Sequence, residues 1–74
     1  MYNPLTIENQ MELINQALNN ESIINKIENA DIYYEEDRET FIKILNSDNL
    51  ERAFKVYANM DTAARDVFIN LVKI

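Results

Sequence analysis

Between residues 28 and 39 the chain carries six carboxylates and two tyrosines: Glu28, Asp31, Tyr33, Tyr34, Glu35, Glu36, Asp37 and Glu39. Carboxylates this close in sequence can share a proton as an acid–base pair, hold a hard cation, or present negative potential to a basic partner. Acid–base work needs one carboxyl desolvated, and a run of acids at a helix start stays in water. A calcium loop needs a glycine at its turn and ligands at alternating positions. The chain has no glycine to make that turn. Two readings then stand: a solvated helix start whose acids favour the dipole and aid solubility, and the third role, in which the flanking tyrosines supply amphipathic contact area beside the charge.

Other chemistry is closed by composition. Histidine, cysteine and glycine are all absent. No imidazole can act as a base near neutral pH, no thiol as a nucleophile, and no glycine-rich loop can cradle a phosphate. The same absences remove disulfides and nearly every zinc, haem or iron–sulfur site. The expectation is a non-enzymatic protein with no cofactor, no catalytic residue and no metal site.

The elements that would position the acidic run are helical. Proline occurs once, and with no glycine the residues of tight hairpins are missing, which argues against a β-rich fold. Eleven asparagines stand in, several where helices would start or stop, because asparagine caps helix starts and tolerates the left-handed conformation. Asn3-Pro4 reads as a helix entry, with Thr6 as a second cap. Ile7, Met11, Ile14 and Leu18 then form an apolar stripe that Leu13 and Ala17 widen, closed by Asn19-Asn20. A second helix is expected over Glu21–Asn29, with Ile23, Ile24 and Ile27 inward.

Residues 31–34 read as a connection, despite the β character of Ile32-Tyr33-Tyr34. Neighbouring residues cannot share a helix face, so one of Tyr33 and Tyr34 is expected to be buried and the other exposed. Glu35, Glu36 and Asp37 suit the first turn of a third helix, whose buried side carries Phe41, Ile44 and Leu45 with Ile42 flanking. Asp48 with Glu51 has capping-box spacing for a fourth helix, with the stripe Leu50, Ala53, Phe54, Tyr57 and Met60. Asp61 caps a fifth, in which Ala64, Val67, Phe68, Leu71 and Val72 recur up to Ile74. The stripe of Phe54, Tyr57, Phe68 and Leu71 reads as core rather than as a ligand pocket. The last two helices abut and are expected to pair as an antiparallel hairpin.

Seventy-four residues are too few for two cores, so residues 1–74 are expected to form a single all-α domain, a compact bundle of four to five short helices. No apolar stretch approaches the roughly 18 residues of a membrane span. The start Met1-Tyr2-Asn3-Pro4 has no signal-peptide pattern. A soluble cytoplasmic protein is expected.

Charge is unevenly divided. Residues 1–39 hold nine acids and two bases, net −7, whereas residues 40–74 hold four acids and five bases, net +1. A net charge of −6 repels nucleic acid, so direct DNA binding by a helix-turn-helix is disfavoured. In composition and size, though in no motif, the chain resembles small acidic proteins of phages and mobile elements that inhibit restriction or CRISPR nucleases by imitating DNA. The first expectation is such a DNA-mimic-like inhibitor or regulator, occupying the basic surface of a nucleic-acid-handling protein through the eight residues named above. One alternative is a structural module that associates through apolar helix faces as a homodimer. In that module the acidity serves only solubility. Another alternative is an antitoxin or immunity protein for a basic nuclease, which shares the first mechanism and differs only in the partner.

Overall fold

The computed structural model describes residues 6–73, and among them the chain forms five α-helices and no strand. They are α1 (Ile7–Ala17), α2 (Glu21–Asn29), α3 (Glu35–Leu45), α4 (Leu50–Asn59) and α5 (Thr62–Val72). The expected entry at Asn3-Pro4, and Ile74 at the far end, lie outside the described residues. Thr6 caps α1, its Oγ1 accepting from Asn9 N at 3.1 Å. Asn20 caps α2 through Ile23 N at 3.2 Å, and Asp61 caps α5 through Ala64 N at 2.8 Å. Each bond satisfies one of the orphan N–H groups of a first turn.

The fourth cap differs from the expectation. Asn49, not Asp48, closes α4 by accepting from Arg52 N at 2.9 Å. Asn49 has the extended backbone that a cap needs, and Asp48 pairs instead with the Arg52 guanidinium at 3.1 Å. Between α1 and α2 the chain reverses at Asn19, whose φ of 56° lies in the left-handed region. Asn19 N donates to Leu45 O at 2.7 Å, fixing this corner to the end of α3.

The buried residues join in one cluster that includes Ile14, Ile27, Phe41, Ile44, Leu45 and Phe68, all fully buried. A ladder of rings crosses it, from Phe41 to Phe68 (5.2 Å), Phe68 to Tyr57 (5.8 Å) and Tyr57 to Phe54 (5.4 Å). Offset and tilted ring pairs at these separations add to the burial of the rings themselves. The Tyr57 hydroxyl donates to Gln10 Oε1 at 2.7 Å, so the one polar tip in the ladder is satisfied by α1. Tyr57 and Phe68 are thus core, with Phe54 and Leu71 packed against it.

α3 packs closely on α4 and α2, α1 on α4 and α5, and α2 on α5. Met60 and Asp61 alone join α4 to α5, which meet through the Tyr57 and Phe68 rings rather than through the closest backbone approaches. The buried side of α5 is Ala64, Phe68, Ile69 and Val72. Ile69 replaces Val67 on the expected stripe, and Val67 is 43% exposed. Ile7 is likewise exposed rather than part of the α1 core stripe. No helix among the described residues is long and apolar enough to cross a membrane.

Candidate functional site

Helix α3 begins differently from its neighbours. Tyr34 occupies its cap position and makes no side-chain cap bond. Asp37 N and Arg38 N turn instead to the Tyr34 carbonyl, at 3.1 and 3.4 Å. Glu35, Glu36 and Asp37 fill the first turn, where negative charge offsets the positive end of the helix dipole. One residue later Arg38, largely buried, reaches across the connection. Its Nη1 donates to Ile27 O at 2.6 Å and Glu28 O at 3.0 Å, and its Nε donates to the Glu35 carboxylate at 2.8 Å. The end of α2 thereby gains a charged donor, at Glu28 O and at Ile27 O beside the latter's bond from Ala30 N at 3.3 Å, and residues 31–34 are held as a short strap between two fixed ends.

Along that strap only Ile32 packs against the core. Tyr33 is 89% exposed and Tyr34 57% exposed, which corrects the expectation that one of them is buried. The helix-face rule does not apply to them, because neither lies within a helix: Tyr33 sits in the bend before α3 and Tyr34 at its extended cap. The two rings pack against each other edge to face, with centroids 4.6 Å apart and planes at 71°.

The strap, the start of α3 and the start of α5 enclose an open groove of about 620 Å³. Asp31, Glu36, Asp37 and Asp61 contribute four carboxylates to it. Tyr33, Tyr34, Ile32, Ala63, Ala64 and Val67 supply its apolar surface. No lysine or arginine among the described residues lines it. Four large hydrophobic residues are exposed among the described residues, and three of them, Tyr33, Tyr34 and Val67, stand in this groove.

Of the eight residues singled out from the sequence, the structure gathers Asp31, Tyr33, Tyr34, Glu36 and Asp37. Glu35 is tied to Arg38, and Glu28 and Glu39 are exposed but do not line the groove. The contributions of α5, namely Asp61, Ala63 and Val67, were not among the eight. Asp61 stood out in the sequence as a cap, and it is one, which hides its second position at the groove.

Among the described residues the ion pairs are Arg38–Glu35 and Arg52–Asp48. No cation of the trailing half therefore forms an ion pair with an acid of the leading half among the described residues. Lys43, Arg52 and Lys55 line a separate open groove of about 470 Å³ at the joint of α3 and α4. No group of three or more acidic side chains among the described residues is arranged to hold a metal ion. No protein-family model, curated protein or solved structure matches the chain.

Proposed function

We propose that the protein is a non-enzymatic binding module whose acidic, tyrosine-walled groove occupies the basic surface of a nucleic-acid-handling protein and thereby inhibits or regulates it. The observation that carries this reading is the coincidence of four carboxylates and three exposed large hydrophobics in one groove without a compensating cation. Helix-start charge alone accounts for Glu35, Glu36 and Asp37. Capping accounts for Asp61, but neither effect accounts for Asp31 or for these acids sharing one groove with tyrosine and valine. Charge of one sign raises the encounter rate with an oppositely charged partner, and aromatic area holds the complex once formed. A partner surface so occupied has its lysines and arginines withdrawn from phosphate.

The test is affinity capture on immobilised protein at low and high salt, with and without duplex DNA as competitor. The variant control is Asp31→Asn combined with Glu36→Gln and Asp37→Asn. Nucleic-acid-binding proteins should be retained at low salt, released by salt and by DNA, and lost from the variant. Retention that ignores both DNA and the three neutralised acids would sink the proposal. Screening shortens to about 3 Å at 1 M salt, so an electrostatic complex must respond.

A further inference from the structure

We infer that the groove is built for an arginine-bearing segment of a partner protein with an apolar side chain next to the arginine, rather than for positive charge in general. The inference rests on the binding role proposed above and adds the chemistry of the occupant.

Exposed tyrosine rings are costly to keep in water, and here two of them are adjacent. Their edge-to-face packing braces each against the other, so a planar group can lie on a ring that does not have to be ordered first. A guanidinium is planar and weakly hydrated, and it stacks on aromatic faces while its N–H groups fork to carboxylates. Asp31, Glu36 and Asp37 line the same groove as the rings, which places carboxylate acceptors in the space the rings border. An ammonium group is compact and strongly hydrated, and it gains less from a ring at an exposed site. On the α5 side the surface is Ala63 and Val67, which no cation covers. An aliphatic side chain beside the arginine would cover them.

Charge complementarity selects a basic segment and argues against a second copy of this chain, since each copy carries −6. The chain's own Arg38 does not fill the role, because its guanidinium is committed to Ile27 O, Glu28 O and Glu35.

The experiment titrates the full chain with short synthetic peptides at low salt, read by calorimetry. One peptide carries arginines flanking a leucine, a second has lysines in their place, and a third has alanine for the leucine. The arginine peptide should bind about two- to fivefold more tightly than the lysine peptide, in line with stacking of a cation on an exposed ring. Tyr33→Ala should abolish that preference by weakening the arginine peptide more than the lysine peptide, and Tyr33→Phe should keep it. The alanine peptide should bind more weakly than its parent. Tyr33 is 89% exposed, so its truncation leaves the fold intact, as circular dichroism would verify. Equal affinity for arginine and lysine peptides, or a preference that survives Tyr33→Ala, overturns this inference and leaves the proposed function standing. Binding of neither peptide overturns both.

Discussion

The uncapped start of α3 can be tested by comparing Tyr34→Ser with Tyr34→Ala. Either substitution removes the same ring and its contact with Tyr33, so their difference isolates a hydroxyl at the cap position. The backbone of Tyr34, at φ −110° and ψ 124°, is extended like that of Thr6, Asn20, Asn49 and Asp61, and a serine there can cap without rearrangement. Serine over alanine at such a site is worth about 0.5–2 kcal/mol. Asp37 N already has an acceptor in the Tyr34 carbonyl at 3.1 Å, which puts the gain in the lower part of that range, about 0.5–1 kcal/mol. In a domain of this size each 1 kcal/mol moves the midpoint by about 4–8 °C, so Tyr34→Ser should melt roughly 2–8 °C above Tyr34→Ala. Thermal unfolding followed by circular dichroism, with urea titration as a second measure, gives the difference directly. Both variants should lose affinity for the arginine peptide equally, since neither has the ring. Coincident midpoints would refute the view that tyrosine occupies a position where a capping residue would stabilise. Recovered affinity in the serine variant would show that helix stability, not the ring, governs binding.

Arg38→Ala strips the end of α2 of its donor, and with hydrogen bonds from a charged group worth about 1.5–3 kcal/mol, urea midpoints should fall accordingly. Arg38→Lys should recover only part, because a single ammonium nitrogen cannot stand at both the Nη1 position facing the two carbonyls and the Nε position facing Glu35; full recovery would argue against the clamp. At Asn19, Ala should be less stable than Gly by about 1 kcal/mol, since both lose the amide but only alanine pays for a left-handed φ, and equal urea midpoints would contradict this. Phe68→Ala deletes a fully buried ring at a typical cost of about 3–5 kcal/mol, comparable with the whole net stability of so small a core. The helical circular dichroism of that variant should collapse at room temperature, and a cooperative melt retained above 50% of the parent's helicity at about 25 °C would mean the ring ladder matters less than its position suggests.

Helix positions were legible because joints here are made of residues with definite capping chemistry. Asn19-Asn20 and Asp61 mark their boundaries unambiguously, and α2 runs over Glu21–Asn29 as its pattern predicts. At Asp48-Asn49 two capping residues stand side by side, each with a polar residue three positions on, and sequence spacing cannot choose between them. The chain chose by the alternative open to Asp48, an ion pair with Arg52. α5 was legible as a helix but not in rotation. Ala63, Ala64, Val67, Phe68, Ile69, Leu71 and Val72 cover too much of its circumference for periodicity to say which arc faces inward. Packing against α1 and α2 buries Ile69 and turns Val67 outward. The acidic half of the candidate site could therefore be read from the sequence, whereas its α5 half depended on that rotation.

The same rotation gives the tyrosines their meaning. Had Val67 faced the core, Tyr33 and Tyr34 would share the groove with less apolar surface, only Ile32, Ala63 and Ala64, and solubility would go further to explain the acids near them. Instead a chain with little stability to spare leaves two aromatic rings and a valine in water at one place. It also places tyrosine where four of its five helices carry threonine, asparagine or aspartate. Local rules that hold at every other joint and fail together at one groove are the pattern expected where surface is kept for a partner rather than for the fold. Stabilising that joint should then cost binding, and the Tyr34 pair of variants measures both sides of the exchange.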